Sequence, residues 1–70
     1  MSIDLLSDAV AAIIENADEL KAQPNLDDVA FGQLVGYAEA LCIIQDICSL
    51  DEQKKLGLDF DVDARYLIEK

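Results

Sequence analysis

The segment from Leu26 to Cys48 constrains the fold most, because as a helix it is apolar around most of its circumference. One apolar line contains Ala30, Leu34, Tyr37, Leu41, Ile44 and Cys48, and the adjacent line contains Phe31, Val35, Ala38 and Cys42. Ile43 and Ile47 point in a third direction, and only Glu39 and Asp46 place charge within residues 30–48. A helix with so wide an apolar surface must be buried on more than one side.

A preceding helix is predicted for residues 3–22. Its apolar residues recur at alternating spacings of three and four, at Ile3, Leu6, Val10, Ile13, Ala17 and Leu20. Pro24 disfavours the α conformation at the residue before it, so this helix should end near Ala22. Asn25 is a natural N-cap for the next helix, which is predicted over residues 26–48. The short connection makes the two helices neighbours in an antiparallel αα-hairpin.

The part of the chain after the hairpin predicts short helical segments. Ser49 and Glu52 have the spacing of a capping box, and Gly57 is a typical helix stop, so residues 50–56 should form a short helix or a bent extension of the second helix. Apolar and acidic residues then alternate over 58–63, which favours an extended segment. This segment should lie across the bundle and bury Leu58, Phe60 and Val62.

A last short helix is predicted to follow and to run through Ile68. Asp61 or Asp63 would cap its first turn, and Arg65 would form i,i+4 ion pairs with Asp61 and Glu69. Residues 1–70 are therefore expected to form a single small all-α domain.

One hairpin cannot cover the second helix, and a core in a chain this short supplies only about 3–5 kcal/mol. We therefore expect a homodimer in which two hairpins complete a four-helix core. The predicted dimer face consists of Leu34, Tyr37, Leu41, Ile44, Gly32 and Gly36. The two glycines have two interpretations: they allow a partner helix to approach closely, or they make room for a large neighbour within the same chain.

Charge and composition exclude several classes of function. Fifteen Asp and Glu residues against five Lys and Arg give a net charge of −10, so the chain has no basic surface for nucleic acid or an anionic membrane. Polar and charged side chains within residues 26–48 argue against a membrane span. The chain has no His, and Cys42 and Cys48 would lie about 9 Å apart along one helix, too far for a disulfide. Reduced thiols predict a cytoplasmic protein.

Two groups of acidic residues have side chains of the kind that bind a metal ion or act as a general acid. Asp59, Asp61 and Asp63 match the start of a calcium-binding EF-hand loop, but Ala64 and Lys70 stand where that loop needs Gly and Glu. Glu39 and Asp46 lie two helical turns apart with no nucleophile or metal cluster beside them, although burial in an apolar helix could raise a carboxyl pKa. The sequence therefore predicts no catalysis, no cofactor and no metal.

Two functional hypotheses remain from the sequence. The first is a non-catalytic protein-interaction module, an adaptor or regulator that binds a protein partner through apolar or mixed surface such as residues 58–67. The second is an acidic inhibitor that imitates the phosphate backbone of nucleic acid and binds a nucleic-acid-binding protein. Its critical residues would be the acidic line Asp4, Asp8, Glu15 and Asp18.

Overall fold

The computed structural model describes residues 3–67, with side chains from residue 4 onward, and within this range the chain is helical without strands. The helices are α1 (Ile3–Lys21), α2 (Asp28–Ile47), α3 (Leu50–Leu56) and α4 (Val62–Tyr66). The two long helices α1 and α2 pack against each other, and α4 packs on both. The predicted all-α architecture, with two long helices and short C-terminal helices, is confirmed. The predicted end of the last helix at Ile68 and the predicted partner Glu69 of Arg65 lie outside the described residues.

The turn between α1 and α2 differs in one detail from the prediction. The N-cap of α2 is Asp27, whose Oδ1 accepts a hydrogen bond of 2.7 Å from the main-chain N–H of Ala30. Helix α2 therefore begins two residues later than expected, and the predicted cap at Asn25 is wrong. Both residue types suit an N-cap, and Asp27 places its negative charge directly at the positive end of the helix dipole.

Helix α3 has the ends that its sequence predicts. The main-chain N–H of Ser49 donates to Glu52 Oε1 at 2.8 Å, and the N–H of Glu52 donates to Ser49 Oγ at 3.2 Å, which completes the capping box. Gly57 ends the helix in the left-handed conformation with a φ of 74°. Since L side chains rarely adopt this conformation, glycine is required at this position. The backbone then turns toward α4.

Residues from all four helices and from the segment before α4 form the core. Its buried members are Val10, Ala17, Leu34, Ala38, Leu41, Leu56, Leu58, Val62 and Tyr66. The expectation that the extended segment buries its apolar residues is confirmed for Leu58 and Val62, while Phe60 is half-buried.

Two residues of the predicted dimer face, Leu34 and Leu41, belong to this core. Leu34 and Leu41 are 1% and 0% exposed within the single chain, so neither side chain is available to a partner. The reason is that α1, α4 and the segment before α4 all contribute to one core cluster on the side of α2 that the sequence assigned to a second copy.

Gln45 fixes the extended segment on α2. Its side-chain Nε2 donates to the main-chain carbonyls of Leu58 at 2.7 Å and Phe60 at 2.8 Å. Both N–H donors of one amide are thereby used on backbone that belongs to no helix. Gln53 of α3 in turn donates from Nε2 to the carbonyl oxygen of Gln45 at 3.0 Å. Two glutamines therefore hold α2, α3 and the extended segment in one arrangement.

Candidate functional site

Helix α2 has apolar residues on two opposite sides. One side contributes the buried residues Leu34, Ala38 and Leu41 to the core. The other side carries what we call the outer row, which consists of Val29, Gly32, Gly36, Ala40, Ile43 and Ile47. At about 100° per residue, these six positions fall within an arc of roughly 80° that points away from the core. Val29, Ile43 and Ile47 are 73%, 59% and 78% exposed.

The packing of the other elements explains why the outer row stays uncovered. Helix α1 lies beside Gln33 and Tyr37 on one side of α2, where Asn16, Glu19 and Leu20 line a shallow groove with them. Helix α4 lies on the opposite side, where Asp63 accepts a weak hydrogen bond of 3.9 Å from the Cys42 thiol. The extended segment is bound behind α2 through Gln45. Three sides of the helix are covered, and the fourth carries the outer row.

The two glycines of the outer row make no room for a neighbour within the described part of the chain. A Cβ atom added at Gly32 or Gly36 would meet no atom of that part within 4 Å, and neither glycine has a positive φ. The interpretation that they make room for a large neighbour in the same chain is therefore wrong. Each glycine still destabilises the helix by about 1 kcal/mol relative to alanine. The fold alone offers no compensation for that cost.

The six residues predicted for the dimer face are divided by the structure. Gly32 and Gly36 lie in the outer row, and Tyr37 and Ile44 are half-buried beside it. The sequence-based prediction did not include Val29, Ile43 and Ile47, which are the large exposed residues of this surface. The available signal was that Ile43 and Ile47 belong to neither main apolar line of α2.

The predicted acidic line is also divided. Asp4, Asp8 and Glu15 are exposed on α1, but Asp18 is half-buried and bonded to α4. Its two carboxylate oxygens accept hydrogen bonds of 2.9 and 2.8 Å from one guanidinium nitrogen of Arg65. The predicted partner of Arg65, Asp61, instead caps α4 by accepting from Ala64 N–H at 3.1 Å.

Two aromatic rings complete the contact between α1 and α4. The Arg65 guanidinium lies 4.7 Å from the ring centroid of Phe60 and 5.4 Å from that of Tyr66. The Tyr66 hydroxyl donates to Asp18 Oδ1 at 2.8 Å. Burial, and then this hydrogen bond to a carboxylate, raise the pKa of Tyr66 to about 12. Every polar group in this contact has a structural role.

The acidic groupings that chemistry could use are not assembled into a site. Glu39 and Asp46 are both exposed on α2. Of the EF-hand-like carboxylates, Asp61 is the α4 cap and Asp63 accepts from Cys42. Among residues 3–67, no group of three or more potential ligand side chains could hold a metal ion. Cys42 and Cys48 are free, half-buried thiols.

A groove with a volume of about 600 Å³ lies beside the turn between α1 and α2. It is lined by Lys21, Pro24, Asn25, Leu26, Asp28, Phe31, Leu34, Tyr66 and Leu67. The Lys21 ammonium group donates to the main-chain carbonyl of Tyr66 at 3.4 Å, so this cation already has a structural contact. The groove is open to solvent and offers no convergent set of reactive groups.

Comparisons with protein-family models, with curated protein sequences and with solved structures gave no match for this chain. Over residues 3–67, no helix combines the length and the apolar character needed to cross a membrane. Among the described residues, the outer row of α2 is the strongest candidate for a functional surface, because Val29, Ile43 and Ile47 are large apolar side chains exposed along it.

Proposed function

We propose that this chain is a non-catalytic protein-interaction module, an adaptor or regulator, that works as a homodimer through the outer row of α2. The observation that carries this proposal is the row itself. It is apolar along its whole length on a chain whose net charge is −10. Three of its six residues, Val29, Ile43 and Ile47, are large apolar side chains that lie mostly exposed.

The extent of this surface supports an interface. Val29, Ile43 and Ile47, with exposures between 59% and 78%, together leave on the order of 400 Å² of mainly apolar surface open. Soluble monomers rarely expose larger contiguous patches, and patches of this size often have a binding function. High net charge keeps a small chain soluble, but it does not remove the free-energy gain from covering such a surface.

In the proposed homodimer, the two α1–α2 hairpins meet through their α2 helices and form a four-helix assembly. The exposed side of α1 and the surface of α4 remain available for a different protein. This division of surfaces is what an adaptor or regulator requires: one face for assembly and others for a partner.

Sedimentation velocity over a range of protein concentrations tests the proposal. The wild type is compared with Ile43→Glu, which places a charge in the outer row, and with Ala12→Glu, which adds the same charge at an exposed position of α1. We expect the wild type and Ala12→Glu to dimerise and Ile43→Glu to remain a folded monomer. Leu41→Glu would be uninformative, because Leu41 belongs to the core of the single chain. A wild type that stays monomeric at millimolar concentration would contradict the proposal.

The second candidate function is imitation of nucleic acid by the acidic side of α1. Asp4, Asp8 and Glu15 are exposed there, which favours this candidate, whereas Asp18 is already paired with Arg65. Binding of heparin-retained cellular proteins to the immobilised chain would be compared between the wild type and Asp8→Lys/Glu15→Lys. Mimicry requires that the double variant loses binding and that salt weakens binding by the wild type. Equal binding by the two chains would eliminate it.

A further inference from the structure

The residues of the outer row are unevenly distributed by size. The half of the row before Glu39 contains Gly32 and Gly36, and the half after Ala40 contains Ile43 and Ile47. All four glycine and isoleucine positions are exposed. The row therefore presents a shallow depression at Gly32 and Gly36, bordered by Val29, and a ridge at Ile43 and Ile47.

Resting on the proposed function, we propose that the outer row binds the outer row of a second copy in antiparallel orientation, with the two-fold axis between Glu39 and Ala40. This axis places Gly36 opposite Ile43 of the second copy and Gly32 opposite its Ile47. Each ridge then lies in the depression of the other copy.

This arrangement fills the depression of each copy with the isoleucine side chains of the other copy. Glycine lets two helix backbones approach closely, and an isoleucine side chain fills the space that the missing Cβ leaves. A two-fold axis uses each complementary contact twice, as in other isologous dimers. A parallel pairing in register would instead place glycine against glycine and isoleucine against isoleucine, which leaves a void at one end and crowding at the other.

The size of the face fits a weak dimer. Val29 and Ile47 lie about 27 Å apart along the helix axis. If each copy contributes about 400 Å², the dimer covers about 800 Å² in total, the size of a transient interface. An interface of this size predicts a dimer that dissociates on dilution.

The absence of charge in the outer row allows a second copy to be the occupant. Two chains that each carry −10 repel one another through most of their surfaces. The outer row contains no charged residue, so it is the face through which two such chains can meet with least repulsion. A strongly basic partner would gain more from the acidic side of α1 than from this row.

The first test of this pairing uses the glycines. Gly36→Leu would fill the depression, while Ala12→Leu adds the same side chain at an exposed position of α1. Because leucine has the higher helix propensity, Gly36→Leu should keep or raise the thermal stability of the single chain. We expect its dimer dissociation constant, measured by sedimentation equilibrium, to rise at least tenfold, with little change for Ala12→Leu. An unchanged constant in Gly36→Leu would overturn the proposal.

The second test measures the register by disulfide trapping. Chains with Gly36→Cys and with Ile43→Cys, both carrying Cys42→Ala and Cys48→Ala, are oxidised alone and as an equimolar mixture. In a dimer of the Gly36→Cys chain, the proposed axis separates the two introduced thiols by about 10 Å along the helix axis, which prevents a disulfide between them. We expect efficient linking only in the mixture. If the Ile43→Cys chain forms disulfide-linked dimers with itself as efficiently as the mixture does, the antiparallel register is overturned but the homodimer is not. If the wild type forms no dimer at all, the proposed function itself is contradicted.

Discussion

The hydroxyl group of Tyr66 donates a hydrogen bond of 2.8 Å to Asp18 Oδ1, across 48 positions of the sequence. The same carboxylate accepts from the guanidinium of Arg65. One acidic side chain of α1 thus holds two consecutive residues of α4. The Tyr66 side chain is buried while the ion pair is half-exposed, so the hydroxyl bond is the more shielded of the two contacts.

The first prediction concerns high pH. Because the pKa of Tyr66 is raised from 10 to about 12, its stabilising contribution is fully present below pH 10 and is lost as the pH rises through 12. A shift of this size corresponds to about 2–3 kcal/mol. Urea denaturation at pH 8–12 should show this loss in the wild type. Lysines also titrate in this pH range, and Tyr66→Phe has the same lysines as the wild type. The variant should therefore lack only the loss of stability that comes from Tyr66. Equal pH profiles for the two chains would contradict the assignment.

A second prediction concerns the carboxylate of Asp18. Asp18→Asn removes the ion pair and weakens the acceptor of the Tyr66 hydroxyl, so the free energy of unfolding should fall by about 1–2 kcal/mol. Asp8→Asn, at an exposed position of the same helix, serves as the matched control and should change stability by less than about 0.5 kcal/mol. Urea denaturation at pH 7 measures both. Equal effects would show that Asp18 has no special structural role.

The bonds from Gln45 to the extended segment give a third prediction. Gln45→Met keeps the approximate volume but leaves the carbonyls of Leu58 and Phe60 without these donors, so it should cost about 2 kcal/mol. Hydrogen exchange should become faster in α4, which packs on the same side of α2. Gln33→Met, at an exposed position of α2, should have little effect on either measurement. Unchanged exchange in α4 of the Gln45 variant would argue against this docking role.

The thiol of Cys42 gives a fourth prediction. Burial, together with the nearby carboxylate of Asp63, raises the pKa of this thiol, so it should react slowly with a disulfide reagent at pH 8. Asp63→Asn should lower the pKa and speed the reaction severalfold in a Cys48→Ala background. Asp59→Asn removes an equal charge that does not act on Cys42 and should leave the rate unchanged. Equal rates in the two variants would show that the carboxylate of Asp63 does not control this thiol.

The fifth prediction concerns the electrostatics of the proposed dimer. The two-fold axis brings the Glu39 carboxylates of the two copies to the same edge of the helix pair, where they repel each other. Glu39→Gln should therefore lower the dimer dissociation constant severalfold, and added salt should strengthen the wild-type dimer by screening the repulsion. Glu15→Gln on α1 is the control. Weaker association at higher salt would contradict this arrangement.

Much of the secondary structure could be predicted because its signals are local. The capping box of Ser49 and Glu52 and the left-handed Gly57 each depend on residues within one or two turns. The choice between Asn25 and Asp27 as N-cap could not be made in this way. Both residue types suit the position, and the path of the chain after Pro24 decides which of them begins the helix.

The candidate surface was harder to predict because tertiary packing selects it. The two main apolar lines of α2 are similar in composition, and their residue types do not say which side the segment 58–66 covers. Docking of that segment places Leu41 in the core and leaves Ile43 outside. The pairing of Arg65 with Asp18, 47 positions away, likewise has no local signal, whereas the i,i+4 spacing to Asp61 does.

The contact between Asp18 and Tyr66 joins α1 to α4, so it can form only late in the synthesis of the chain. The segment that covers α2 includes Val62 and Tyr66, so the core cannot close until residue 66 has left the ribosome. Until then, a nascent chain already carrying α1 and α2 exposes Leu34 and Leu41 in addition to the outer row. Such a chain is more prone to aggregation than the finished protein, and its brief interval of exposure is when a chaperone would bind.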